Sequence, residues 1–109
     1  MSWTTQLRKG ALELAVLNAI NGDRLYGYDI VRMLRQHEGL VMGEGTVYPI
    51  LSRLKSEGCL KTTLEESPDG PARKYYEMTD SGRAQLAQMN AEWATLVSSL
   101  ESVRKAGVR

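Results

Sequence analysis

Apolar residues recur at helical spacing within the first twenty positions of the chain. The side chains with this spacing are Leu7, Ala11, Leu14 and Ala15, and the apolar pattern continues through Leu17 to Ile20. The pattern predicts a first helix over about residues 5–20, which Asn21 and Gly22 would end. Gly10 is its weak point, because glycine costs about 1 kcal/mol relative to alanine inside a helix.

Two shorter helices are expected next. The second covers about residues 27–38, where one face collects Ile30, Met33, Leu34 and His37. After a connector with two glycines at residues 41–45, the third covers about 46–57 and has the apolar stripe Val47, Ile50, Leu51 and Leu54. Pro49 is compatible with this helix because it falls in the first turn, where its missing N–H has no partner to lose.

Residues 60–78 have the pattern of a β-hairpin. In the first half, Leu60, Thr62 and Leu64 alternate with polar residues, and the second half is the aromatic-rich run 73–78. The residues between the two runs are strong turn formers, namely Ser67, Pro68, Asp69, Gly70 and Pro71. We therefore predict two antiparallel strands joined by a tight turn.

A long helix is expected from Thr79 onward. Its apolar residues are spaced alternately three and four apart, as in the a/d seam of a coiled coil, and they are Leu86, Met89, Trp93, Leu96, Leu100 and Val103. Nothing else in the chain matches this helix in length. We expect the seam to pack on the same helix of a second copy, with the first helix completing the interface. The alternative is that the helix folds back on its own domain.

The order of the elements predicts a mainly α fold with a small β-hairpin, namely a winged helix-turn-helix followed by a long C-terminal dimerisation helix. The DNA-binding domain would cover residues 1–78, with the hairpin as its wing, and the dimerisation helix residues 79–109. In this arrangement the third helix enters the major groove of double-stranded DNA, and the hairpin lies against the phosphate backbone or a minor groove.

The apolar stripe of the third helix leaves its opposite face free for a partner. That face carries hydroxyls, one aromatic ring and two cations, which suit phosphates and base edges, on Thr46, Tyr48, Pro49, Ser52, Arg53 and Lys55. The hairpin adds four candidate DNA contacts at its tip and just after it, namely Gly70, Pro71, Arg73 and Lys74. Each cation taken singly also fits an ordinary solvated surface, and the nearby Glu65, Glu66 and Asp69 favour that alternative.

The charge balance limits this interpretation. The chain has 109 residues, enough for one domain, and a formal net charge of only +1. Many nucleic-acid-binding domains are more basic, so a DNA-binding face must come from local clustering of cations. The near-neutral charge therefore keeps a second hypothesis open, that of a winged-helix module which binds protein and no DNA.

Other classes of function lack the residues they need. Cys59 and His37 are the only cysteine and histidine, so an internal disulfide is excluded and a Cys/His metal site would lack ligands. We expect no metal, no cofactor and no enzymatic activity, because no nucleophile–base pair, carboxylate dyad or phosphate loop is visible. Cys59 is expected as a small buried residue. Without a signal-peptide pattern or a long apolar run, a cytoplasmic protein with no membrane partner is expected.

Trp93 lies in the middle of the predicted seam, with Met89 and Leu96 one turn to either side. A large aromatic residue at this position is most simply part of the dimer core. A sharper hypothesis is that these three residues, joined by Trp3 or by the first helix, line a gap between subunits. Such a gap would take a small planar aromatic effector, which would change the spacing of the two DNA-reading helices.

Three motifs occur in order along nearly the whole chain. They are LYGYDI at residues 25–30, GTVYPILSRL at 45–54 with EG at 57–58, and RKYY at 73–76 leading to TDSG at 79–82. Together they resemble the PadR family of bacterial transcriptional regulators, in particular its short subfamily with a single C-terminal helix.

This resemblance implies a homodimeric repressor released by a small aromatic or drug-like compound. It implies DNA contacts from Thr46, Tyr48, Pro49 and Arg53, with the wing contributing Lys74 and the tip at Gly70 and Pro71. It also implies a structural role for Tyr26, Gly27 and Tyr28, which would brace the second helix against the rest of the fold.

Overall fold

The element order follows the predicted sequence of helices, wing and long helix. The computed structural model describes residues 3–40 and 43–107. Its elements are α1 Trp3–Lys9, α2 Leu12–Ala19, β1 Leu25–Tyr26, α3 Gly27–Arg35, α4 Glu44–Ser56, β2 Leu60–Ser67, β3 Gly70–Met78 and α5 Asp80–Gly107. The mainly α fold class, with a small antiparallel wing and a long C-terminal helix, is confirmed.

The first predicted helix is two helices. The prediction of one helix over 5–20 is wrong because the chain turns at Gly10 and Ala11, between the end of α1 and the start of α2. Val16 and Leu17 of α2 are fully buried in the core, whereas Trp3 on α1 is 70% exposed. The core therefore fixes α2 alone, and the turn between the two helices is closed by the Ala11 N–H, which donates to the Arg8 carbonyl at 2.9 Å.

The second helix and the connector also differ from the prediction. α3 ends at Arg35, so His37 lies beyond the helix and is exposed. The backbone N–H of His37 bonds to Leu34 three residues back, at 3.2 Å, and Gly39 has φ +91°, which is typical of a chain leaving a helix. α4 begins at Glu44, earlier than predicted, so the placement of Pro49 in the first turn is wrong: Pro49 lies inside the helix, where its missing N–H leaves the Gly45 carbonyl without the usual helical donor. Val41 and Met42 of the connector lie outside the described residues.

The wing is a three-stranded sheet rather than a hairpin alone. β2 and β3 pair antiparallel from Leu60 opposite Met78 to Ser67 opposite Gly70, and β1 adds a third strand on the other side of β3. In β1, Tyr26 lies opposite Tyr75. A two-residue strand is too short to show alternation in the sequence, which is why this element was not predicted.

The core lies between α2, α3, α4, the inner face of the sheet and the first turns of α5. All four residues of the predicted α4 stripe are buried in it, namely Val47, Ile50, Leu51 and Leu54. Cys59 is buried as expected, directly after α4, and burial raises the pKa of its thiol. The buried stripe determines which face of α4 is open to a partner.

The apolar row of α5 has two parts. Leu86 is only 3% exposed and belongs to the core of its own chain, and Met89 packs partly against that core. The placement of Leu86 in an intersubunit seam is therefore wrong. From Trp93 to Val103 the apolar side chains are exposed, so this part of the helix does not fold back on its own domain. No helix in the described ranges is long and apolar enough to cross a membrane.

Candidate nucleic-acid interface

The exposed side of α4 has a central ridge and two flanks. At 100° per residue, the positions opposite the buried stripe are Gly45, Pro49, Ser52 and Ser56, and all four are exposed. Thr46 and Arg53 lie on the flank nearest α2, and Tyr48 and Lys55 lie on the other flank, toward the sheet. The ridge is formed by small residues, so a partner can approach the helix backbone closely there.

Tyr48 occupies the sheet-side flank but is half-buried. A Cβ atom at Gly27 would lie 3.1 Å from Cε1 of Tyr48 and 3.2 Å from Cε1 of Tyr76, so the glycine makes room for both rings. Burial, and then the charge of Glu44, raise the pKa of the Tyr48 phenol. The ring therefore braces the start of α3, while its hydroxyl stays protonated at neutral pH and can donate a hydrogen bond to a phosphate.

Arg53 on the other flank has a partner that the sequence did not reveal. Its Nη2 atom lies 3.2 Å from Oε2 of Glu13, in the first turn of α2. The sequence showed acids only at the two ends of α4, Glu44 and Glu57. Glu13 is forty positions away along the chain, and no spacing rule connects it with Arg53.

The wing places its two predicted cations on opposite faces of the sheet, because successive strand residues alternate. The Arg73 guanidinium lies over the Tyr26 ring, 5.0 Å from its centroid, and Arg24 lies over the Tyr75 ring at 4.5 Å. Arg24 also pairs with Glu65. Lys74 shares the opposite face with Tyr76 and Met78, whose buried side chains face the core and α4. Of the two cations, Lys74 is thus the one on the α4 side of the sheet.

The tip of the wing is open. Gly70 and Pro71 are exposed, as are the turn residues Pro68 and Asp69. The tip and Lys74 therefore form a second accessible surface beside α4. Of the predicted DNA contacts in the wing, Gly70, Pro71 and Lys74 lie on this surface. Arg73 instead stacks on the outer face of the sheet.

A shallow groove adjoins the middle of α5. It has a volume of 190 Å³ and is lined by Gly10, Leu14, Met89, Glu92, Trp93 and Leu96. Three of the four predicted ligand residues are thus brought together, but Trp3 is not among the lining residues. The exposed row next to this groove also includes Val97, which the heptad pattern did not select.

The start of α5 is joined tightly to the end of α4. The Thr79 hydroxyl donates to the carbonyl oxygen of Gly58 at 2.6 Å and accepts from the N–H of Gly82 at 3.0 Å. The Thr79 N–H donates to the Cys59 carbonyl, also at 3.0 Å. We call these four residues the α4–α5 junction. It ties the helix with the candidate DNA face to the helix with the exposed apolar row.

Comparisons with known proteins agree with this architecture. The sequence profile of the transcriptional regulator PadR-like family matches residues 16–88, from α2 to the first turns of α5. A transcriptional regulator of Mycobacterium tuberculosis is 31% identical over 83 residues, which cover 76% of each chain.

Solved structures extend the similarity to nearly the whole chain. A PadR-like transcriptional regulator from Bacillus cereus superposes with a TM-score of 0.79 at 35% identity, covering 90% of this chain and 95% of the other. A PadR family regulator from Eggerthella lenta gives a TM-score of 0.81 at 33% identity, covering 90% and 85%. The resemblance noted in the sequence motifs is confirmed, and the chain belongs to the PadR-like family of transcriptional regulators.

Proposed function

We propose that this protein is a homodimeric repressor that binds operator DNA through α4 and the wing and is released by a small planar aromatic ligand. The α4 helix supports this most directly, because its buried stripe leaves a ridge of small residues flanked by Arg53 and Lys55. Lys74 on the same side of the sheet and the open wing tip extend the surface toward the phosphate backbone. Hydroxyls and cations at these positions suit base edges and phosphates.

The exposed apolar row of α5 supports the homodimer. Trp93, Leu96, Val97, Leu100 and Val103 form one continuous row that a single chain leaves in water. The same helix of a second copy has matching length and spacing, so pairing would bury both rows. Two copies would also place two α4 helices on one DNA duplex, which makes up for the low net charge of each chain.

The double substitution Arg53→Ala with Lys74→Ala tests the assigned DNA surface. We expect affinity for a DNA duplex selected by the wild-type protein to fall at least about thirtyfold, because each chain loses two cationic contacts. Fluorescence anisotropy at fixed salt measures the change. The charge-matched control is Arg104→Ala with Lys105→Ala at the end of α5, where a small effect is expected.

Two results would contradict this assignment. Equal losses in the test and control variants would show that only total charge matters. A wild-type protein that binds no duplex even at low salt would favour the alternative function, a winged-helix module that binds another protein.

The groove beside Trp93 provides the test of the ligand. A planar two-ring probe that does not intercalate, such as 2-naphthol, is expected to quench tryptophan fluorescence and to weaken binding of the selected duplex. Both effects should be lost in Trp93→Leu and kept in Trp3→Leu, because Trp3 does not line the groove. If the quenching survives in Trp93→Leu, the proposed site is wrong.

A further inference from the structure

Glu13 is an acid held against the candidate DNA surface by a helix that does not belong to that surface. The apolar residues just after it in α2, Leu14, Val16 and Leu17, are buried in the core. The core therefore holds the backbone of Glu13 in place, and the Glu13 carboxylate lies 3.2 Å from the Arg53 guanidinium. The side chain of Glu13 is 31% exposed and that of Arg53 is 54% exposed, so the pair borders solvent at the edge of the α4 ridge.

Stability alone does not account for this pair. Ion pairs that are this accessible to water contribute about 0.2–1 kcal/mol to folding. An arginine side chain, by contrast, carries about 2 kcal/mol of rotamer entropy, and a partner carboxylate restricts it to one position. The guanidinium has five N–H donors, so the bond to Glu13 leaves others free for a nucleic-acid oxygen.

The carboxylate also changes what Arg53 contributes to different kinds of DNA. Binding to DNA of any sequence comes almost entirely from cations that neutralise phosphates, whereas base contacts select a particular sequence. A negative charge next to Arg53 weakens its attraction to phosphates at every sequence. The same charge weakens a hydrogen bond to a neutral base acceptor less than it weakens the attraction to an anionic phosphate, and a guanidinium already held in place loses little rotamer entropy when it makes that bond.

We propose that Glu13 is a specificity-determining residue, which holds Arg53 in one position and offsets its charge so that Arg53 favours the operator over other DNA. The inference rests on the proposed function, because it assumes that α4 binds DNA. It also gives a reason for the low net charge of the chain. Because the attraction to DNA of any sequence is weak, a few accurately positioned contacts determine the sequence to which the protein binds.

The test compares two duplexes of equal length and base composition. One is selected by the wild-type protein from a random pool, and the other is a scrambled version of it. In Glu13→Gln, the affinity for the scrambled duplex should rise three- to tenfold while that for the selected duplex stays the same or falls. The affinity on the scrambled duplex should also become more salt-dependent, by a slope of about one for each subunit that gains a phosphate contact.

Glu57→Gln is the matched control. It removes the same charge next to α4, directly after the last helical residue Ser56, but the described structure gives Glu57 no ion pair with Arg53. Both affinities should rise together in this variant, and their ratio should not change. In an Arg53→Gln background, Glu13→Gln should likewise leave the ratio unchanged. Thermal unfolding of each variant, at one protein concentration, checks that the fold is intact.

The outcomes separate the two proposals. If the wild-type protein enriches no sequence from the pool, the proposed function fails, and this inference fails with it. If a sequence is enriched but Glu13→Gln keeps the wild-type ratio, the inference alone is overturned. An equal loss of ratio in Glu57→Gln would also overturn it, because the effect would then be one of net charge.

Discussion

Replacing Gly82 with alanine is expected to lower the free energy of unfolding by about 3 kcal/mol, at the upper end of the usual overpacking range. A Cβ atom at this position would lie 2.1 Å from the carbonyl oxygen of Cys59 and 3.0 Å from Cγ of Met78. The oxygen belongs to the backbone and cannot rotate away. It also accepts the Thr79 N–H, so the whole α4–α5 junction would have to shift to relieve the contact.

The measurement is thermal or denaturant unfolding at one fixed protein concentration, because association contributes to apparent stability. A loss of this size corresponds to a fall in Tm of roughly 12–24 °C for a domain of this length. Gly45→Ala is the matched control, since Gly45 also lies in the first turn of a helix but has open space around its Cβ position. A Gly82→Ala protein as stable as the control would show that the junction is not rigid.

The second large effect is expected from placing two charges in the exposed row of α5. Leu96→Glu with Leu100→Glu should convert the dimer to monomer and lower affinity for the selected duplex at least about a hundredfold. Pairing would have to bury four carboxylates without partners, which costs several kcal/mol. Without pairing, the second α4 helix is no longer held near its half-site, and a linked second contact raises affinity by roughly 10²–10⁴.

Sedimentation equilibrium and anisotropy measure the two consequences in the same samples. The control is Ala94→Glu with Ser98→Glu, which adds the same charges on the opposite face of α5, where both residues are exposed. If Leu96→Glu with Leu100→Glu remains dimeric, the exposed row of α5 is not the dimer interface. A monomer that binds the duplex as tightly as the wild type would contradict the proposal that DNA binding depends on pairing.

The helices that carry the proposed function could be predicted, because the spacing of their apolar residues along the sequence determines which face of each helix is buried. The α4 stripe is one example, since four apolar residues at helical intervals leave only one way to bury them. The same rule failed for α5, because a heptad pattern does not say which chain covers it. Leu86 is covered by its own chain, while the large apolar residues from Trp93 onward stay 39–70% exposed.

The candidate site was less predictable than the fold. The free face of α4 followed from its stripe, but the pairing of Arg53 with Glu13 depends on how α2 packs against α4, and no local pattern records that packing. In the wing, the placement of the two cations on opposite faces could have been predicted from the sequence. Arg73 and Lys74 are neighbours on one strand, and alternation already places them on opposite faces.

The α4–α5 junction makes α5 a lever arm for α4. Trp93 lies thirteen residues after Asp80, the first residue of α5, which is about 20 Å along the helix, and a tilt of about 10° about Trp93 displaces Asp80 by about 3.5 Å. Successive base pairs are about 3.4 Å apart. In the proposed dimer, a ligand that wedges the seam open at Trp93 by about 10° would therefore shift each α4 helix by one step along the duplex, enough to put the two helices out of phase with their half-sites.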